Sequence, residues 1–253
     1  MSKTNGKLTT DLEKAFAEDA GVGFEGVTSS DLQIPFLRIL QAMSPQLKKS
    51  NPAFIEGAKM GDIFNTVTNK LWTGDEGVVV LPVYFETKML EFVPRTQGGG
   101  GFVGELSSGS REVSAAVRDP NTGMEILESG NELVRSASHY VKIAHENGNY
   151  ENAIVDMKKT QLKQSRQWLS MMMMQNGSTL PSFAYMYHLR SVEDGNDKGS
   201  WYTWSISLVG MVDSLVAYKE AKELHGSIKS GEMRLGPPPT DAALEAPVDK
   251  DLP

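Results

Sequence analysis

The sequence predicts an α+β fold in which antiparallel strands dominate, and three observations support this prediction. At least five segments are rich in β-branched and aromatic residues or alternate apolar with polar side chains, as strands do. Turn signals join neighbouring strands into at least two hairpins. Apolar residues recur at helical spacing in two segments, one before the last hairpin and one after it.

Composition limits the classes of protein to consider. The 253 residues are 40% hydrophobic and carry a net charge of −7, which fits one large domain or two small ones. Cysteine is absent, which excludes a disulfide scaffold, thiolate metal sites and thiol catalysis. The four histidines argue against a His-rich metal site. No apolar run approaches the ~20 residues of a membrane helix, so no membrane association is expected.

The charge divides the chain into three parts. Residues 1–31 carry three lysines and six acidic residues and are predicted to be a polar, partly disordered N-terminal arm. Residues 32–235 are nearly neutral and are predicted to be the binding domain. Residues 236–253 open on Gly-Pro-Pro-Pro, carry four acidic residues and one lysine, and are predicted to be a disordered tail. This tail either only solubilises the protein, or recruits partners or competes for a basic groove.

The first half of the domain is predicted to be mostly β. Residues 34–43 form an apolar block that could be strand or helix. Residues 58–64 predict a short strand, and residues 77–88 predict a strong strand that continues into a second one at 89–93. Pro82 indicates an edge or a bulge, and an exposed edge there would allow a homodimer.

The middle of the chain predicts a hairpin followed by a helix. Strands are expected at 132–145 and 150–157, joined by the turn signal Glu-Asn-Gly-Asn at 146–149. A helix is expected over 160–175, and Gly177 is suited to its left-handed cap.

The last hairpin and the closing helix complete the domain. Strands are predicted at 181–190 and 201–208, and a helix at 213–230 with Asp213 as its N-cap and Gly231 as its C-cap. Five strands with a helix before the last hairpin match the five-stranded barrel of the oligonucleotide-binding (OB) fold. Sandwiches and half-barrels would give a similar strand count.

No catalytic constellation is found in the sequence. It contains no HExxH, no GxSxG, no nucleotide-binding glycine fingerprint and no EF-hand loop. We therefore expect a protein that is not an enzyme and needs no cofactor.

Aromatic and basic residues instead alternate along several strands. Proteins that bind single strands stack bases on aromatic rings and contact the backbone with Lys and Arg. Lys163 and Arg166 add to a local positive charge at the junction between the second predicted hairpin strand and the helix. The candidate nucleic-acid-binding residues are Lys88, Phe92, Arg95, Tyr140, Lys142, Lys158, Lys159, Arg190 and Trp201.

Some aromatic residues fit the core better than a binding surface. Trp204 shares its strand face with Ile206 and Leu208, so we expect it to be buried. Trp168 lies near the apolar stripe of the predicted helix, where packing is the more common role. Trp201 lies on the polar face of its strand, where we expect exposure.

Four blocks resemble a family of single-stranded-DNA-binding proteins of tailed bacteriophages, especially marine short-tailed ones. They are IPFLRILQAMSP (34–45), IEGAKMGDIFN (55–65), the strand segment 78–95 and GGGGFVGE (98–105). The resemblance covers roughly residues 32–210. It implies an OB barrel that coats single strands during phage replication, recombination and repair in the cytoplasm of the bacterial host. It also implies an acidic C-terminal tail that contacts replication proteins.

Two other functions stay open on the sequence alone. The first is a phage structural or regulatory module that binds protein through its glycine-rich loop and acidic ends. The second is a nuclease or another DNA-processing enzyme whose site is assembled from distant residues.

Overall fold

The computed structural model describes residues 10–27, 33–94, 101–177, 179–197 and 199–231. The predicted site residue Arg95, the central glycines of the glycine-rich loop and the acidic tail lie outside these residues.

Eleven strands and four helices form the described part of the chain. The strands are β1 Leu37–Ile39, β2 Ile63–Asn65, β3 Leu71–Trp72, β4 Val78–Val93, β5 Gly101–Leu106, β6 Val117–Arg118, β7 Glu125–Ile126, β8 Glu132–Ala144, β9 Tyr150–Lys158, β10 Tyr185–Asn196 and β11 Gly199–Met211. The helices are α1 Thr10–Glu18, α2 Arg111–Ser114, α3 Leu162–Asn176 and α4 Leu215–Lys229.

The fold is α+β with mostly antiparallel strands, as predicted, and its main sheet curls into a half-barrel. This sheet has eight strands rather than five in the described chain. The order is β11-β10-β4-β8-β7-β6, with β5 added to β4 and β9 added to β8. Strands β1, β2 and β3 form a separate small sheet.

Strand β4 joins the two predicted strands 77–88 and 89–93 into one strand of 16 residues. It pairs with β10 and with β8, and its register with β8 shifts between Pro82 and Tyr84. Pro82 therefore marks a bulge, as one of the two predictions had it. On the β10 side of β4, the described main sheet ends at β11.

Several predicted boundaries needed correction. The expected strand at 58–64 is reduced to Ile63–Asn65 because Gly57 and Gly61 adopt positive φ angles of 83° and 89°, which an extended strand does not use. The strand predicted at 181–190 begins at Tyr185 and extends to Asn196, because β11 pairs with its polar end.

Helices α3 and α4 occupy the predicted places, and their ends differ slightly from expectation. The side chain of Ser214, not that of Asp213, caps α4 by accepting a hydrogen bond from the backbone N–H of Ala217. Gly177 ends α3 with a φ of 53°, which is the left-handed cap that was predicted.

The two helices cover opposite faces of the sheet. Helix α3 and the small sheet cover one face, where Trp168 and Trp204 are buried as predicted. Helix α4 covers the other face through Ala217, Ala221 and Leu224, which pack against β4. No helix in the described chain is long and apolar enough to cross a membrane.

Leu224→Ala should lower the free energy of unfolding by about 2–5 kcal/mol, because it leaves a cavity between α4 and the sheet. Leu215→Ala is the matched control, since Leu215 lies on the same helix and is 67% exposed. Urea denaturation followed by circular dichroism measures both. Equal effects of the two variants would show that α4 does not pack on the sheet in this way.

Candidate nucleic-acid interface

The structure divides the predicted binding residues into two groups. One group lies on the sheet face that α4 partly covers and is engaged within the protein. The other group lies on the turn before α3 and on the β10–β11 hairpin, and its members are exposed or half-buried.

Tyr140 belongs to the first group, and its prediction as a base-stacking ring is wrong. Its side chain is 1% exposed, because its ring packs against Tyr84, 5.7 Å between centroids, and beneath Phe36. Its hydroxyl donates a hydrogen bond to Glu86. Burial, and then this bond, raise the pKa of the Tyr140 phenol. A base cannot reach this ring in the folded protein.

Three predicted lysines are held by carboxylates. Lys142 is buried, and its Nζ lies 3.0 Å from Glu220 of α4. Lys88 Nζ lies 3.3 Å from Glu86 and 3.4 Å from Glu105. Lys158 Nζ lies 3.5 Å from Asp156. These contacts neutralise the charges that a DNA phosphate would need, so the three lysines are poor candidates for phosphate contacts.

Strand register explains why these charges meet. Side chains at alternate positions share a face, so β4, β8 and β9 set their residues side by side in two rows. One row is Glu86, Ser138 and Asp156, and the next is Lys88, Ser136 and Lys158.

The interior of this charged cluster is tightly held. Ser138 donates a 2.5 Å hydrogen bond to Asp156. Burial lowers the pKa of the nearby Arg38 guanidinium to about 10, while the Asp156 charge acts in the opposite direction. The side chains of this cluster therefore bond to one another and do not present an open binding surface.

Phe92 completes the first group. The Phe92 ring packs edge-on against Phe102, 5.6 Å between centroids, in the β4–β5 hairpin. Arg95, one residue beyond the end of the described segment, is not placed.

The second group begins beside α3. Lys159 has a φ of 49° in the turn that leads from β9 into the helix, and it is exposed. Lys163 and Arg166 follow on the exposed side of α3. No ion pair in the described chain involves Lys163 or Arg166, in contrast to the lysines of the first group.

A groove of about 270 Å³ runs between α3 and the edge strand β11. Gln164 and Gln167 of α3 form one wall, and Thr203 and Ser205 line the opposite side. Trp204 also lines the groove, although most of its ring is buried. Amides and hydroxyls can both donate and accept hydrogen bonds. The groove therefore suits a polar, extended ligand.

The edge strand adds main-chain groups to this groove. The backbone N–H and C=O of Tyr202 point away from β10 and bond to the side chain of Gln41, at 2.9 Å each. Backbone groups two and four residues further along an antiparallel strand point the same way. The N–H and C=O groups of Trp204 and Ile206 therefore face outward along the groove.

Arg190 and Trp201 lie on the β10–β11 hairpin, and alternation along β10 turns Arg190 to the opposite face from Leu189, which packs in the core beneath α3. Arg190 pairs with Ser205, and Trp201 pairs with Asp194, and both of these partners line the groove. Arg190 is exposed, and Trp201 is half-buried, whereas exposure was predicted for it. Its indole Nε1 is buried and makes no hydrogen bond within the described chain.

The local charge of this region is positive although the protein is acidic. Four exposed cations lie on α3, the preceding turn and the hairpin, against three exposed carboxylates of the hairpin, Glu193, Asp194 and Asp197, which leaves an excess of one positive charge among them. The cations are Lys159, Lys163, Arg166 and Arg190.

Sequence reasoning did not single out Gln164 and Gln167. Their side chains are uncharged and occur in a helix whose apolar stripe drew attention to the core. A helical projection that places them beside the buried Trp168 would have indicated that they border a neighbouring element.

The described residues include no group of three or more side chains that could hold a metal ion. What the region offers is therefore hydrogen bonding, charge and an aromatic ring. The region lies at the edge of the curled antiparallel sheet, beside β11.

The chain belongs to the Pam3 phage gp34-like protein family, whose model matches residues 3–234. It is therefore a bacteriophage protein, as the resemblance implied. No curated protein and no solved structure matches the chain.

His139 is a buried histidine on the α3 side of the sheet. Its Nε2 lies 2.8 Å from Ser165 Oγ, and its ring stacks on Trp168 at 4.5 Å. Burial lowers the pKa of His139 to about 3, well below the ~6.5 of a free histidine.

The stability of the protein should therefore depend on pH through His139. The contribution of the neutral His139 ring to the free energy of unfolding is fully present above pH ~6.5. It is lost progressively as the pH falls toward 3, because in this range only the unfolded chain takes up a proton at His139. His139 contributes a slope of up to about 1.4 kcal/mol of unfolding free energy per pH unit. His139→Gln should flatten the curve of unfolding free energy against pH.

Chemical denaturation at a series of pH values between 4 and 8 measures this difference. An H139Q protein with the same pH dependence as the unaltered chain would contradict the burial of a neutral imidazole.

Proposed function

We propose that this phage protein is a non-enzymatic single-stranded-DNA-binding protein that acts in phage DNA replication, recombination and repair. The observation that carries the proposal is the exposed basic side of α3, where Lys163 and Arg166 lie beside the groove along β11. Phosphates would contact the cations, and the groove would hold sugar or base edges through its amides, hydroxyls and main-chain groups.

The distribution of charge favours a single strand over a duplex. The domain is nearly neutral as a whole, which does not favour the extended basic face that would follow a double helix. Duplex DNA is stiff over about 150 base pairs, whereas a single strand can bend around a short helix into an adjacent groove. The compact basic surface on α3 suits the flexible ligand.

Trp201 is the aromatic residue that we propose for base stacking, in place of the buried Tyr140. It is half-buried at the hairpin, next to the groove-lining Asp194. Stacking of a base on such a ring contributes about 1–3 kcal/mol. The other aromatic residue at the groove, Trp204, is 3% exposed and is available only at its edge.

We also propose that the half-barrel functions as an OB-like binding fold. The curled antiparallel sheet and the helix inserted before the last hairpin support this comparison. In the described chain, the edge strands β9 and β11 do not pair with each other, so the barrel is open on the side that α3 covers.

The test is a titration of the full chain with oligo(dT) and with a duplex of matched length, by fluorescence anisotropy at two salt concentrations. We expect salt-sensitive binding to the single strand and weak binding to the duplex, with the DNA left intact in Mg²⁺. Replacing Lys163 and Arg166 together by Gln should lower affinity and reduce the salt slope by about 1.4, at 0.7 per lost phosphate contact.

The matched control is the replacement of Lys219 and Lys222 by Gln on α4, which makes the same charge change at exposed positions on the opposite face. Trp201→Phe should also remove the quenching of tryptophan fluorescence by oligo(dT). Equal losses from the two double variants would show that the contact is not on α3, and no binding at low salt would contradict the proposed function.

We further propose that the acidic tail weakens DNA binding by competing for the cations of α3, and that it is free to contact replication proteins once DNA is bound. Deleting residues 236–253 removes four acidic residues and one lysine. The shortened protein should therefore bind oligo(dT) more tightly than the full chain at low salt, in the same anisotropy assay. Unchanged or weaker binding would contradict this role.

A protein-binding module is the second candidate, and an exposed apolar surface favours it. Val209 and Met211 near the end of β11 are 51% and 58% exposed, and Leu215 and Val216 at the start of α4 are 67% and 64% exposed. Large exposed apolar surfaces often mark protein interfaces. Absence of DNA binding, together with a concentration-dependent rise in molar mass in solution, would support this candidate and a homodimer.

A further inference from the structure

A second depression lies on the other side of α3 from the groove. It encloses about 160 Å³, about the volume of five water molecules at their share of the liquid. Its walls are largely apolar or aromatic, and its opening is beside Met173, which is 60% exposed. The lining side chains that matter here are Tyr84, Phe85, His139, Leu169, Met172 and Met173.

The walls of this pocket suit a flat ring. The Phe85 ring lies 4.9 Å from that of His139, which in turn stacks on Trp168. Met172 and Met173 provide thioethers, which adapt to a ligand and make favourable contacts with aromatic rings. Flat rings between aromatic and methionine side chains gain both apolar burial and stacking.

His139 lines the pocket but is only 1% exposed. Its Nε2 is engaged with Ser165, and its ring packs between those of Phe85 and Trp168. His139 therefore supports the aromatic wall, and the contacts with a flat ring come from the more exposed side chains of Phe85, Leu169 and Met173.

The pocket lies within reach of the proposed DNA path. Arg166 is seven residues before Met173 on α3, which is about 10 Å along a helix axis. A strand that contacts Arg166 with a phosphate could therefore turn a base toward the opening beside Met173. We propose that this pocket binds one nucleobase of the bound single strand, an inference that rests on the proposed function.

The test uses the full chain labelled with methyl-¹³C methionine, with the signals of Met172 and Met173 assigned through their replacement by Leu. The probes are oligo(dT) and an oligonucleotide of equal length with abasic sites, whose phosphates are retained. Oligo(dT) should shift the methyl signals of Met172 and Met173 through the ring current of the base. The abasic strand should bind without these shifts, and Met211 on β11 should serve as an unaffected reference.

A pocket-filling variant gives a second measurement. Leu169→Phe should lower the preference for oligo(dT) over the abasic strand by roughly tenfold, whereas Leu215→Phe at an exposed position should leave the preference unchanged. Binding of both strands without shifts at Met172 and Met173 would overturn the pocket and leave the proposed function intact. If neither strand binds, the proposed function fails and the pocket assignment fails with it.

Discussion

The pairing of β4 with β8 is the interaction on which the rest of the structure depends. The two strands are the longest neighbours in the sheet, and every other strand of the main sheet attaches to one of them directly or through a partner. The bulge between Pro82 and Tyr84 changes which side chains face which helix. Before the bulge, Val80 contributes to the core beneath α3; Leu81 and Val83 face α4. Both helices therefore take their positions from one ladder.

The β4–β8 ladder also separates charges that are paired on the sheet from cations that are exposed on α3. Across β4, β8 and β9, alternation brings lysines and carboxylates together on one face, where the largely buried Lys88 and Lys158 each lie within 3.5 Å of a carboxylate. Charges buried in this way must be paired, because an isolated buried ion is costly. On the exposed side of α3, Lys163 and Arg166 make no ion pair within the described chain, although Glu193 and Asp194 line the adjacent groove. An acidic protein can thus keep a small basic surface, which is the feature on which the proposed DNA contact depends.

Helix α3 links the core to the proposed interface. Its inner side carries Trp168, which is fully buried against His139 and Tyr187. Its flanks border the groove along β11 on one side and the aromatic pocket on the other. Because the core fixes the helix, the backbone of Gln164 and Gln167 is held in place beside the edge strand. A rigid surface of this kind loses little conformational entropy when a ligand binds.

The sequence by itself determined the class of fold, the hairpin of β8 and β9, the positions of α3 and α4, and the burial of Trp168 and Trp204. These features follow from local periodicity and turn chemistry, which neighbouring residues control. Only the tertiary structure decided that Tyr140 and Lys142 are internal and that Gln164 and Gln167 border a groove. Alternation shows that Tyr140 and Lys142 share a face of β8, but not what covers that face. Phe36 and Glu220, distant in sequence, cover it, and whether a side chain is buried depends on such long-range contacts.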